Sequence, residues 1–211
     1  MWAEYWTEFV SLGVLNLVAL ISPGPDFIVT FRNTIFHSRK AGFMTVLGIA
    51  SGEIIHIAYI VCGVGALVVE SVWALYTIKV LGSLYLMYIG WQSLRARSVH
   101  LKGGTPAQKK PLSSLKAFSS GFFTNALNPK AILFFFSVFM VVVSPDTPLP
   151  VLIAYGIEMV ALCLLWFGLV VLCLSTPKAL EFFNRFGKWV ERATGGILLG
   201  LGAKLALTSL K

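Results

Sequence analysis

Charge is what this 211-residue sequence has least of: Asp, Glu, Lys and Arg together make up 12% of it, about half the share found in soluble globular domains. With 57% hydrophobic residues, that scarcity excludes a water-soluble domain and implies an integral membrane protein. Cysteine is nearly absent as well. Cys62, Cys163 and Cys173 all lie in apolar runs and form no C-x-x-C pair, which excludes a disulfide framework and a zinc site and leaves them as packing residues. No H-E-x-x-H, G-x-S-x-G, Walker-type or EF-hand pattern occurs, so the sequence calls for no metal, no cofactor and no ATPase machinery. The opening "MWAEYWTE" has neither the basic region nor the small-residue cleavage site of a secretory signal. The first apolar segment is therefore expected to be retained.

What is present is a series of apolar runs, at roughly residues 9–36, 42–69, 73–94, 117–144, 150–175 and 193–208. Each can span a hydrocarbon core of about 30 Å at about 1.5 Å per residue, the last only if its ends extend. The net charge of +8 raises the question of nucleic acid, and the placement of the charges answers it. Of 17 Lys and Arg, 12 fall at Arg39 and Lys40, between Arg95 and Lys116, and between Lys178 and Arg192, alternating with "MWAEYWTE", "VESVW" and "SPDTPLP", which carry none. That is a topology signal, and no nucleic-acid partner is implied. The positive-inside rule gives six transmembrane helices with both termini outside. Trp2, Tyr5, Trp6, Trp73 and Tyr76 near the outer ends, with Trp91 and Trp189 near the inner ends, fit interfacial belts. The basic linker 97–116 is cytoplasmic and divides the chain into three-helix units at 1–96 and 117–211.

The first run is interrupted by "LISPGPDFIV", where two prolines, a glycine and Asp26 occupy the middle of a membrane segment. Sliding the chain by 104 residues superposes Pro25 on Pro129, Ile28 on Ile132, Phe31 on Phe135, and Ile49, Ala50 and Gly52 on Ile153, Ala154 and Gly156. Two units of three spans must run in opposite directions, so the matches imply an inverted repeat with helices 1 and 4 both broken. Pro25 lies 12 residues before His37 and 17 after Glu8; Pro129 lies 13 after Lys116 and 15 before Ser144. Both breaks therefore sit near mid-membrane. Ser22-Pro23 and Asn128-Pro129 each read as the start of a half-helix, capped by the polar side chain. Two helix N-termini, each with about half a positive charge, would then face one central region and hold a carboxylate.

Asp26, Glu53, Glu158 and Lys130 cannot easily reach an interface, and each costs about 2.5 to 3.5 kcal/mol at the centre of a span. They are expected to pair or to line a wet cavity, with Asp26 and Lys130 at matched positions as the natural pair. Glu53 and Glu158 follow the matched glycines by one and two residues, and His56 shares a helix face with Glu53. Asp26, Glu53, His56 and Glu158 are thus the proton-coupling candidates. Arg32, Lys79 and Lys204, closer to span ends, read as snorkelling residues. Gly82, Gly90, Gly196, Gly200 and Gly202 read as small residues for close helix packing.

"SPGPDFIVTFRNTIFHSRKAG", the Gly48, Gly52, Ile55, His56 pattern, "KVLGSLYLMYIGWQSLR" and "GFFTNALNPKAILFF" resemble the lysine-exporter (LysE/RhtB) family of bacterial amino-acid exporters, over residues 7–208. The resemblance implies a multi-pass protein of the bacterial inner membrane, not an enzyme, that expels amino acids or close derivatives by proton antiport. The family's central motifs fall on Pro23, Gly24, Pro25, Asp26, Asn128, Pro129 and Lys130. With Ser22, these form the expected substrate site. The partners are then a small amino acid, protons and the lipid bilayer. A homodimer is compatible with this size, and nothing in the sequence requires one. A passive channel for zwitterionic metabolites would need the same wet midplane and is the alternative. An intramembrane enzyme using Glu53, His56 or Glu158 lacks a nucleophile or metal set.

Overall fold

The computed structural model describes residues 2–22, 24–70, 72–95, 111–144 and 146–173, with positions between 185 and 207 described in part. All regular elements among them are helices: α1 (Trp2–Ile21), α2 (Pro25–Phe36), α3 (Arg39–Glu70), α4 (Val72–Leu94), α5 (Ser114–Ala126), α6 (Pro129–Val142) and α7 (Leu149–Cys173). The segments Arg39–Cys62 and Leu149–Cys173 are long and apolar enough to cross a bilayer. Tyr5–Ile21 with Pro25–Phe36, bent by 56°, and Ser114–Ala126 with Pro129–Val142, bent by 53°, each qualify as one broken span, giving up to four crossings among the described residues. The linker beyond Arg95 lies outside the described residues up to position 110; the sixth run is described in part, with residues 195–200 helical.

Both breaks follow from proline. A proline at the first helical position loses nothing, because the first N–H groups of a helix have no partner in it. At the second break Asn128 is the cap, its Oδ1 accepting the Lys130 N–H at 3.0 Å. The first break departs from the expected Ser22-Pro23 start. The half-helix begins at Pro25, its cap is Gly24 in extended conformation with no side-chain hydrogen bond, and Ser22 does not cap it. The cause is the second proline: a helix starting at Pro23 would need Gly24 in the α region, which the ring of Pro25 disfavours.

Helix α3 runs through the centre and packs on α5, α7 and α2; α1 packs on α7 and α4 on α6. The α3–α5 crossing is very close. A Cβ at Gly48 would fall on the Phe118 carbonyl oxygen, and one at Gly121 on the Thr45 carbonyl oxygen. The core has two parts, one around Leu12, Ile60, Phe135, Val138 and Tyr155, the other around Phe27, Ile49, Phe167 and Val171. Outside, Ile54, Leu81, Tyr88, Ile157 and Leu165 are each more than half exposed, a surface suited to lipid rather than water. Trp91 and Trp189 each carry an arginine over the ring, Arg95 at 4.4 Å and Arg192 at 5.8 Å, which suits a headgroup layer. Arg32 is exposed, as a snorkelling residue would be; the side chains of Trp2, Trp73, Tyr76, Lys79 and Lys204 lie outside the described set. Gly90 abuts Gly195, and Gly202 abuts Met87 and Ser83, whereas a Cβ at Gly196 or Gly200 would meet nothing within 4 Å. Those last two glycines are therefore not packing contacts here, and Gly82 lies outside the described set.

Candidate functional site

Where the two breaks meet there is a cavity of about 50 Å³, room for roughly three to five waters at about 10 to 15 Å³ each. Ser22, Gly24, Pro25, Asp26, Asn128 and Lys130 line it, so the expected binding residues from both halves converge. Pro129 stands behind the wall, where its carbonyl accepts the Tyr85 hydroxyl at 3.0 Å. Pro23 lies outside the described residues.

Asp26 and Lys130 are each tied to polar groups across the breaks. Asp26 Oδ2 accepts from Asn125 Nδ2 at 3.2 Å and Asn128 Nδ2 at 3.3 Å. Lys130 Nζ donates to Ser22 Oγ at 3.1 Å and lies against Gly24, 3.4 Å from where a Cβ would stand. A lysine of α6 thus reaches the residues just before α2. Each break is held by side chains from the opposite break, which joins the two broken helix pairs through this cavity.

Glu53 also lines the cavity, from α3, and is 1% exposed. Its Oε1 faces Asn16 Nδ2 at 3.5 Å, and the same amide donates to the Met159 carbonyl at 3.1 Å. The Cys163 thiol sits beside the carboxyl, a weak donor at most. Two buried carboxyl oxygens, Asp26 Oδ1 and Glu53 Oε2, have no hydrogen-bond partner among the described residues. Unpartnered buried acceptors are costly, and two from residues lining one cavity fit a ligand that brings N–H donors. The same cavity is lined by Lys130 and the first residues of α2 and α6, which favour an anion. The remaining wall is apolar, with Phe27, Phe134, Phe135 and Phe167.

His56 and Glu158 lie outside this cavity. The His56 ring is buried behind it, 3.0 Å from the Asn125 carbonyl through Nε2 and stacked on Phe135 at 5.6 Å. Since a carbonyl only accepts, Nε2 carries the proton. Glu158 lies on the α1–α7 seam, its carboxylate in the notch left by Gly13. The sequence reading missed Asn16 and Asn125 as lining residues. The signal for Asn16 is a lone amide in "LGVLNLVAL", and for Asn125 its place in "NALNPKA", three residues before the proline motif.

The model of the LysE type translocator family matches residues 17–209. The chain is 30% identical over 201 residues to the threonine efflux protein of Escherichia coli strain K12, covering 95% of this chain and 98% of that protein. It is 32% identical over 206 residues to the threonine efflux protein of Salmonella typhi, again over 95% and 98%. With the leucine efflux protein of Klebsiella pneumoniae the identity is 23% over 210 residues, 94% of this chain and 98% of that one. No solved structure matches.

Proposed function

Because the chain belongs to the family of LysE-type translocators, we propose that it exports amino acids or close derivatives from the cytoplasm in exchange for protons, binding them between its helix breaks. The observation that carries this reading is the pair of opposite chemistries lining one buried cavity. The unpartnered carboxyl oxygens of Asp26 and Glu53 suit the donors of an ammonium group. Lys130 and the starts of α2 and α6 suit a carboxylate. An amino-acid backbone has these two groups one carbon apart, and the phenylalanine wall is left for its side chain. Proton exchange follows if ammonium and proton compete for Asp26 or Glu53, because a carboxyl occupied by one cannot hold the other. The substrate leaves chemically unchanged, so these carboxyls need no nucleophile beside them.

The packing supports the repeat that alternating access requires. Exchanging α1 with α5, α2 with α6 and α3 with α7 converts the α3–α5 contact into α7–α1, α2–α5 into α6–α1, and α3–α6 into α7–α2; all six occur. We read the chain as six spans in two inverted units, 1–96 and 117–211, with both termini outside. The names of the relatives make threonine and leucine the first substrates to try. In energised everted vesicles, which acidify inside, the protein should concentrate labelled threonine or leucine above the external level, and an uncoupler should abolish the gradient. Equilibration without accumulation, unaffected by the uncoupler, would instead identify a passive channel.

A further inference from the structure

The proposed exchange needs a way for protons to reach Glu53, which is buried. The seam between α1 and α7 supplies one. We propose that Glu8, Tyr155 and Glu158 form a proton relay leading from the outer end of this seam to Glu53, separate from the substrate cavity; the inference rests on the antiport reading above.

Three observations carry it. First, the outer end is a hydrogen-bonded cluster in which Glu8 accepts from Ser144 N at 3.1 Å and Thr147 Oγ1 at 3.2 Å as well as from Tyr155. Glu8 Oε2 lies 2.9 Å from the Tyr155 hydroxyl, and that hydroxyl lies 3.2 Å from the Tyr5 carbonyl. One hydroxyl has one hydrogen. With Glu8 ionised, Tyr155 donates to it; with Glu8 protonated, Glu8 donates to Tyr155, which then turns its hydrogen to Tyr5. Second, Glu158 stands one turn from Tyr155 on the same face of α7, where Cβ atoms are about 5 to 6 Å apart. Glu8 and Glu158 both interact electrostatically with that hydroxyl. Third, Gly13 opens the seam at Glu158. A Cβ there would collide with Glu158 Oε1, while Glu158 Oε2 is buried and without a partner. One turn further along α1, Asn16 bridges to Glu53, whose Oε2 is also unpartnered.

The polar line thus runs Glu8, Tyr155, Glu158, then past Gly13 and Asn16 to Glu53. In each hop one O–H bond breaks on the donor and one forms on the acceptor. Glu8 gives its proton to the Tyr155 oxygen as that hydroxyl releases its own through water toward Glu158, so tyrosine stays neutral, and Glu158 then releases a proton through water to Glu53, which the Asn16 amide orients without carrying a proton itself. The groups facing Glu53 are Asn16 from α1, Asp26 from α2 and Cys163 from α7, with Lys130 in the same cavity wall. Substrate ammonium displaces the proton there.

The test separates proton delivery from substrate binding. In proteoliposomes, exchange of labelled for unlabelled substrate needs no net proton movement, whereas accumulation driven by an imposed pH gradient does. E158Q is expected to lower pH-driven accumulation at least tenfold and to keep exchange within twofold of wild type. G13A should act in the same direction by displacing the carboxylate without removing it, and its clash is with the movable end of a side chain, so it serves where E158Q fails to fold. Wild-type accumulation by both variants overturns the relay alone. Parallel loss of exchange and accumulation in folded protein overturns it too, because Glu158 would then support binding. Exchange without any pH-driven accumulation by the wild-type protein overturns the antiport reading itself.

Discussion

Asp26→Asn is expected to leave the protein intact in the membrane and to lower amino-acid export about 10- to 100-fold. The substitution is almost isosteric, and one oxygen is enough for the internal contacts. Asn125 Nδ2 and Asn128 Nδ2 both donate to Oδ2 of Asp26, and an asparagine can present its own oxygen there. Its amide nitrogen then takes the place of Oδ1, the atom without a partner. A donor faces the cavity where an acceptor stood, so the substrate ammonium loses a charged hydrogen bond and meets a like-signed dipole. A hydrogen bond to a charged group is worth about 1.5 to 3 kcal/mol, and about 1.4 kcal/mol is tenfold, which sets the expected range. Initial rates of labelled substrate efflux, normalised to membrane protein by immunoblot, measure it. Export by the variant within twofold of wild type would remove Asp26 from the site. Lys130→Ala tests the opposite pole and is expected to cost a similar factor, with the loss falling on carboxylate recognition, so that an amine lacking the carboxylate would compete equally well in both proteins.

How far the site could be read beforehand depended on whether a residue acts through the chain near it or through its packing. The breaks were legible because proline acts locally, and the matched positions Pro25 and Pro129 are the first residues of α2 and α6. Ser22-Pro23 taken by itself reads as a cap, whereas the constraint that Pro25 puts on Gly24 moves the helix start to Pro25. Glu53 and Glu158 looked equivalent since both follow a matched glycine. A shift of one residue turns a side chain by about 100° around a helix of 3.6 residues per turn. That rotation takes Glu158 off the cavity and onto Gly13 of α1, while Glu53 faces the breaks. Asn16 and Asn125 gave no periodic signal at all. Their roles come from helices 37 and 99 residues away in the chain, in the contacts with Glu53 and Asp26, and no local pattern encodes such distances.

The largest effect on stability is expected at Gly121 and Gly48, where α3 and α5 cross. Gly121 faces Thr45 backbone and Gly48 faces Phe118 and Phe122 backbone, the latter with Phe122 N at 2.7 Å from an added Cβ. Backbone cannot rotate aside as a side chain can, so an alanine at either position must push the two helices apart. Overpacking a tight contact costs about 1 to 3 kcal/mol, and a clash with main chain on both sides belongs at the upper end or beyond. Gly196→Ala is the control, since a Cβ there meets nothing within 4 Å and alanine is favoured over glycine in a helix by about 1 kcal/mol. The fraction of detergent-solubilised protein that stays monodisperse after heating should fall at lower temperature for G121A and G48A, and not for G196A. Equal thermal profiles for all three would show that the crossing has slack. The crossing also bears on transport: α3 carries Glu53 and His56, α5 carries Asn125, and the His56 ring meets the Asn125 carbonyl at 3.0 Å. Helices pushed apart here separate the acid that lines the cavity from the amide that holds Asp26. G121A protein that survives folding is therefore expected to lose export by more than its remaining abundance accounts for.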